Sequence, residues 1–379
     1  MDFLIELILQ GWHLILYYLL PFIIVIGIMI FFHELGHFLL AKAFGVKVLK
    51  FALGYGPPIL SKQFGETEYS IRYFPLGGFV KMLGEEIEDE ESDEPVSEED
   101  IGRSFTDVHV LKRISIVAAG PVFNLVLAFF LFFGIFLISG TQVLTPTIGE
   151  IQVDSPAQQA GLQKGDTIIS IENNTVNSWG EIKGYVSGHA GESLLFKVQR
   201  SEDILSFNII PKESTAKNEF GEDKKTALIG IVASGDIKQI KLSLPEAALK
   251  GMSDTVKWIK LTFLVIIKLF QGVVPIKTIG GPIMIGQMTG QLVQENVSYL
   301  IPFMAIISVN LGILNLFPIP ILDGGHLLFF SIEAIMGKPL SIRKREVAQQ
   351  VGLFLLIALM VFVFYNDIYR LFDPSRGMP

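Results

Sequence analysis

The chain is 379 residues long, half of them hydrophobic, with 30 Phe and a positive mean hydropathy; soluble domains seldom carry so much apolar surface, which points to a membrane protein with soluble parts. Cys is absent, which excludes disulfides and thiolate metal sites and leaves His, Asp and Glu to hold any metal. The net charge of −8 is concentrated in one place, because Glu85 to Asp100 holds 11 acidic residues and no basic one; no nucleic-acid partner is expected of such a chain.

The N-terminus lacks the basic n-region of a cleavable signal peptide, so the first apolar segment is expected to be retained. That segment, Leu14–Phe44, is the first of four stretches near or above the ~20 apolar residues that cross a bilayer. It contains His33-Glu34-Leu35-Gly36-His37. Two imidazoles four residues apart stand on one face of a helix with a carboxylate beside them, the H-E-x-x-H arrangement in which histidines hold zinc and glutamate takes a proton from water. An isolated intramembrane His or Glu is often a helix contact or a proton relay. Three such groups at ligand spacing are harder to place that way, because each is costly in hydrocarbon. After the span comes a strand-rich Gly/Pro segment at 46–83, then the acidic stretch 85–101, expected to be a solvated loop. The second span is Leu111–Ile138.

Between the second and third spans lies a soluble segment, 141–240. Ile148-Gly149-Glu150-Ile151, followed by Ser155-Pro156-Ala157-Gln158-Gln159-Ala160-Gly161-Leu162-Gln163-Lys164-Gly165-Asp166-Thr167-Ile168, reads as strand, short helix, Gly turn and strand. Alternating residues around Leu194–Gln199 and Ile204–Pro211 predict further strands. The block resembles a PDZ domain of the bacterial protease type. PDZ domains take peptides by strand addition, often at a free C-terminus, so a peptide C-terminus is one candidate ligand; a domain that only covers an active-site entrance, without a ligand, is the other.

A fifth apolar segment, Ala247–Gln271, carries Lys250, Lys257, Lys260 and Lys268 within about 80° of one helical face, as expected of an amphipathic helix at the interface. The third span, Ser298–Phe317, leads into Asn315-Leu316-Phe317-Pro318-Ile319-Pro320-Ile321-Leu322-Asp323-Gly324-Gly325-His326. A catalytic zinc needs three protein ligands, and the first span supplies two. Asp323 is the expected third, preferred over His326 three residues on. Pro318 and Pro320 end the helix and leave backbone groups for a substrate strand to pair with. The fourth span is Val351–Phe372. Lys42, Lys47, Lys50, Lys62, Arg72 and Lys81 follow the first span, Lys112 and Arg113 open the second, and Lys338, Arg343, Lys344 and Arg345 separate the third from the fourth. By the positive-inside rule those loops are cytoplasmic, with the termini and 141–240 outside. Four spans also bring His33, His37 and Asp323 to one depth, near the cytoplasmic face.

Taken together, H-E-L-G-H at His33–His37, G-G-F-V-K-M at Gly77–Met82, A-G-P-V-F-N at Ala119–Asn124, the PDZ block and N-L-F-P-I-P-I-L-D-G-G at Asn315–Gly325 resemble the bacterial site-2 proteases, of the PDZ-containing regulator-of-sigma-E protease type. The resemblance implies a multi-pass α-helical protein of four transmembrane helices, with one inserted α+β PDZ domain, in the bacterial cytoplasmic membrane. It implies one Zn2+ per chain held by His33, His37 and Asp323, Glu34 as catalytic base, and Asn315, Pro318 and Pro320 against the substrate backbone. It also implies that 46–83 forms a β element dipping into the membrane. The expected parts are 1–140, an N-terminal membrane region; 141–240, the extracytoplasmic PDZ domain; and 241–379, the amphipathic helix and C-terminal membrane region. The expected partners are the lipid bilayer and membrane-spanning substrates after a first cut elsewhere, such as anti-sigma factors or remnant signal peptides. The rival readings are a metal- or proton-dependent transporter or chaperone, and a catalytically inactive PDZ scaffold.

Overall fold

In the computed structural model residues 2–85 and 100–372 are described, so most of the acidic stretch lies outside the described residues. The chain divides into two compact units, 1–135 with 249–379, and 136–248.

In the first unit, α1 (Asp2–Leu14) runs through a π-helical turn at Ile15–Leu19 into α2 (Leu20–Ala43). Long helices α3 (Val110–Ser139), α8 (Leu300–Asn315) and α10 (Ile342–Phe372) follow in the order of the chain, with α6 (Leu244–Phe270), α7 (Pro282–Glu295) and α9 (Asp323–Met336) among them. Four helical stretches among the described residues are long and apolar enough to cross a membrane: Leu9–Ala43, Val110–Ser139, Val297–Asn315 and Ile342–Phe372. They coincide closely with the four stretches read from hydropathy. Their exposed Leu, Ile, Val and Phe side chains suit a lipid surround, while Val25, Met29, Leu127 and Met304 bury a seam where α2, α3 and α8 meet.

The fifth segment, α6, falls outside that set of four, yet it does not stand apart from the bundle. Gly251 lies so close to α3 that an added Cβ would sit 2.9 Å from the Phe133 backbone nitrogen, and the Thr262 hydroxyl donates to Asn310 Oδ1 of α8 at 2.7 Å. Helix α7 is tied down at its start. Asp367 of α10, fully buried, accepts from the backbone N–H groups of Gly281, Ile283 and Met284 at 3.0, 3.0 and 3.1 Å, satisfying donors that a helix N-terminus leaves open.

Between α2 and α3, strands β1 (Val48–Phe64) and β2 (Thr67–Met82) form an antiparallel hairpin. Each bends back on itself. Phe51 pairs with both Tyr69 and Val80, and Leu53 with both Ile71 and Gly78, while 60–64 pairs with 67–71. The hairpin is therefore a small folded sheet in which 48–53 is central. Gly54 and Gly56 take left-handed backbone at the bend (φ 91° and 85°), a conformation that costs other residues energy. The sheet packs Phe51, Val80 and Met82 with Ala41 of α2, Ile116 and Val117 of α3 and Phe330 of α9.

The second unit has the order expected of the PDZ block. Strand β3 (Thr141–Leu144) precedes β4 (Ile148–Ile151), α4 (Pro156–Ala160), β5 (Thr167–Ile171), β6 (Asn174–Thr175), α5 (Trp179–Ser187), β7 (Leu194–Arg200) and β8 (Asp203–Ile209). Strands β6, β5, β7 and β8 form one antiparallel sheet in that order. Ile148, Ala157, Leu162, Ile168, Phe196 and Val198 bury its core. The signature residues have local reasons. Ser155 caps α4 by accepting from Gln158 N–H at 3.2 Å, Gly161 ends the helix at φ 90°, and buried Asp166 takes Arg200 through two 2.7 Å contacts. The hairpin β9 (Lys212–Lys217) with β10 (Asp223–Leu228), and strands β11 (Ile231–Ala233) and β12 (Ile237–Ile240), complete the unit; β11 pairs with β4 and β12 with β3.

Candidate metal centre

His33 and His37 project from one face of α2, one helical turn apart, as their spacing requires. Their Nε2 atoms lie 3.3 Å from each other. Asp323 comes to the same point from the far end of the chain. After α8 ends at Asn315, residues 316–322 make a tight loop closed by Phe317 N to Leu314 O and Leu322 N to Ile319 O, and Asp323 opens α9. The loop folds so closely over that helix start that an added Cβ on Gly324 would be 2.1 Å from the Phe317 carbonyl oxygen, and one on Gly325 would be 2.4 Å from that of Ile319. The two glycines of the D-G-G motif thus let the chain turn in time to deliver the carboxylate.

Asp323 Oδ2 lies 3.1 Å from His33 Nε2, and Oδ1 lies 3.7 Å from His37 Nε2. These separations match the edges of a tetrahedral zinc site, where ligand atoms about 2.0–2.1 Å from the ion stand about 3.3 Å from one another. Despite its short distance from His33, Oδ2 makes no properly directed hydrogen bond and is otherwise buried without a partner. A buried carboxylate oxygen in that state calls for a cation. His37 supports the same reading from its other side, since Nδ1 donates to the Ile116 carbonyl at 2.9 Å and leaves the Nε2 lone pair facing the cluster. The space is kept open by Gly120 of α3, where an added Cβ would sit 2.2 Å from His37 Nε2 and 2.9 Å from His33 Cε1. Gly36, between the two histidines, lets α3 approach in turn: a Cβ there would meet the Ala119 carbonyl oxygen at 2.4 Å. The donor set, one carboxylate and two imidazoles with ligand atoms within 4.8 Å of one another, fits zinc.

Glu34, next to the first histidine, lies against β2: its Cγ is 2.9 Å from where a Cβ on Gly78 would be. Nearby, the Tyr55 hydroxyl donates to the Gly78 carbonyl at 3.3 Å. Asn315 ends α8, Pro318 is exposed in the loop, and Pro320 packs against Gly352 of α10. His326 stands outside the ligand cluster. Its ring neighbours Phe329 and Phe330 and borders a separate cavity of about 320 Å³ with Ile321, Glu346, Gln349 and Leu353. Sequence reasoning missed Ile116, Gly120 and Asn124, whose amide lies 3.1 Å from His33 Nδ1. The last two stand in the A-G-P-V-F-N motif, a signal that was visible without any chemistry attached to it.

The sequence matches the family model described as peptidase family M50 over residues 21–359. A protein of Agrobacterium fabrum with a provisional zinc metalloprotease name is 34% identical over 362 residues, covering 93% of this chain and 96% of its own length. One of Campylobacter jejuni with the same kind of name is 37% identical over 350 residues, covering 92% of each. Zinc metalloprotease RasP of Geobacillus kaustophilus is 32% identical over 423 residues, covering 93% of this chain and 98% of its own. Among solved structures, the PDZ domain of an SdrC-like protein from Listeria innocua is 25% identical and covers 24% of this chain and 92% of its own, with a TM-score of 0.19.

Proposed function

Because the chain belongs to peptidase family M50, the site-2 proteases, and is an intramembrane zinc metalloprotease, we propose that His33, His37 and Asp323 bind the zinc and Glu34 is the catalytic base. The observation that carries this assignment is the convergence of the three ligand atoms within 4.8 Å, two of them on the helix that presents Glu34.

Zinc, when bound, supplies a Lewis acid that makes water nucleophilic at neutral pH and polarises the scissile carbonyl. Glu34 takes the proton of the attacking water and passes it to the leaving amine. A substrate helix must unwind before it reacts, because its carbonyls are engaged in its own hydrogen bonds. The unwound strand pairs with residues 78–82, which are bonded along one side to 48–53, and with the loop of Asn315, Pro318 and Pro320, whose prolines lack N–H donors. In this reading 46–83 dips into the membrane, where irregular backbone is tolerated as the lining of a cavity.

The substrates are membrane-spanning proteins already cut once outside the bilayer, anti-sigma factors or remnant signal peptides among them. Residues 1–140 and 241–379 form the catalytic membrane part in the bacterial cytoplasmic membrane, with the active site near the cytoplasmic face. Residues 141–240 form an extracytoplasmic PDZ domain whose ligand is a peptide C-terminus.

Glu34→Gln tests the mechanism, with a membrane-spanning substrate reconstituted beside the purified enzyme. The variant is expected to hold zinc at the wild-type stoichiometry and to lose cleavage by at least about a hundredfold; substantial remaining cleavage would remove Glu34 from the reaction. Zinc content separates the two candidates for the third ligand: Asp323→Ala is expected to lose the metal and His326→Ala to keep it, and the opposite pattern refutes the assignment.

A further inference from the structure

A buried polar side chain with no part in the steps above lies against the metal centre. Asn124 of α3 is fully buried. Its amide is 3.1 Å from His33 Nδ1, while its Oδ1 has no hydrogen-bond partner. The residue is held firmly from behind. Its backbone carbonyl accepts from Ser308 Oγ of α8 at 2.8 Å, and Gly312 brings the α8 backbone so near that an added Cβ would stand 3.3 Å from Asn124 Cβ.

A neutral imidazole carries one proton, and it binds metal through the other nitrogen. For Nε2 to be the ligand, Nδ1 must be the N–H, so the group facing Nδ1 has to be an acceptor. At His37 that group is the Ile116 carbonyl, which can only accept. At His33 two groups of α3 meet the ring, the Gly120 main chain and, 3.1 Å from Nδ1, the Asn124 amide, whose oxygen and nitrogen have the same shape and are told apart by what they bond. With Nδ2 toward the ring, the amide would donate to Nδ1, move the ring proton to Nε2 and close the ligand position. It would also leave Oδ1 buried and unpaired. With the amide turned over, Oδ1 accepts from Nδ1–H, and the Nε2 lone pair points toward His37 and Asp323.

We propose that Asn124 is a positioning residue whose Oδ1 accepts the Nδ1 proton of His33 and fixes that ring in the tautomer that presents Nε2 to zinc. This role presupposes that His33 is a zinc ligand, as proposed above. Helix α3 then serves both histidines of α2, through a main-chain oxygen at Ile116 and a side-chain oxygen at Asn124.

The test uses full-length protein stripped of metal and titrated with Zn2+ against a chromophoric chelator, in wild type, Asn124→Asp, Asn124→Ala and Asn124→Leu. At position 124 Asp offers His33 acceptors alone, whereas Ala and Leu offer none and leave the ring only the Gly120 main chain. Asn124→Asp is expected to bind zinc within about threefold of wild type, and the Ala and Leu variants to bind it about 10–100-fold more weakly. Co2+ substituted for zinc supplies a spectroscopic check: the visible bands of the Asp variant should match wild type, and those of Ala should shift. Weakened zinc in a folded Asp variant overturns the proposal, as does wild-type affinity in the Ala variant. Should Leu fail to fold, Ala and Asp decide between them. Loss of cleavage in both Asp and Ala with zinc affinity intact would make Asn124 a donor to the reacting groups and refute the positioning role. Wild-type protein that binds no zinc would instead strike at the ligand assignment beneath it, a result distinguishable from all of these.

Discussion

Gly120 has no side chain to do chemistry with, yet the proposed metal centre depends on what it lacks. Inside a helix Gly costs roughly 0.5–1 kcal/mol relative to Ala, so Ala at an open helical position stabilises. At Gly120 the added methyl would stand 2.2 Å from His37 Nε2, too close for the ring to stay where it meets Asp323. Gly120→Ala is therefore expected to lower zinc affinity by about tenfold or more, comparable with the loss of a ligand's partner, and to lower cleavage with it. Gly134→Ala, on the same helix with nothing within 4 Å, should leave zinc binding unchanged. Equal zinc affinities in the two variants, measured by chelator competition, would remove Gly120 from the cradle. The contrast explains what could be read in advance. His33 and His37 declare a shared face by their spacing alone, and Asp323 declares itself as a carboxylate beside a broken apolar helix. Gly120 and Asn124 act across some eighty to ninety positions of sequence on rings they do not neighbour, and nothing in their own surroundings says so.

At the scale of elements, the site depends on α9 starting at the right place. Arg113 of α3 meets Glu333 of α9 through Nη2–Oε1 at 2.6 Å and Nη1–Oε2 at 3.3 Å, and its guanidinium lies 5.1 Å from the Phe330 ring centre. Both side chains are largely buried, at 12% and 14% exposure. This bidentate pair ties the helix that begins with Asp323 to the helix that carries Ile116, Gly120 and Asn124. Removing one partner strands a buried charge, so Glu333→Ala is expected to cost about 3–5 kcal/mol and to loosen zinc as α9 shifts. Replacing both, as Arg113→Met with Glu333→Leu, should recover most of the thermal midpoint in detergent. A single variant as stable as wild type, with zinc held equally well, would show that the pair holds nothing in place. Neither residue stands out in the sequence: Arg113 looks like one more basic residue at a span boundary, and Glu333 like an ordinary helix carboxylate. The folded-back hairpin was equally hidden, because 48–53 can find two partners only once Gly54 and Gly56 have bent the chain. The strands of the PDZ-like unit were easier, since alternation and Gly turns are local signals.

For the whole molecule, the meeting of His33, His37 and Asp323 restricts how the chain crosses the bilayer. The histidines stand in the C-terminal half of α2, and Asp323 follows the C-terminal end of α8, so α2 and α8 must cross in the same direction. In the proposed four-span topology α3 returns the chain between them, so residues 140–299 leave and re-enter on one side, and any depth that α6 gains is given back before α8 begins. The basic residues bear on the side: Lys42, Lys47, Lys50 and Lys62 follow α2, and Lys338, Arg343, Lys344 and Arg345 lie between α9 and the apolar part of α10, so the positive-inside rule leads us to propose that those loops are cytoplasmic and 140–299 outside. The chain has no Cys, so single cysteines report without interference. Glu202→Cys, exposed between β7 and β8, is expected to react with a membrane-impermeant maleimide in right-side-out vesicles, and Lys338→Cys, exposed after α9, to react only once the vesicles are opened. Labelling of both from outside would mean that α8 does not complete a crossing between them. The inverse pattern would turn the protein over, place the zinc near the outer face, and rule out substrates whose first cut is made outside the cell membrane.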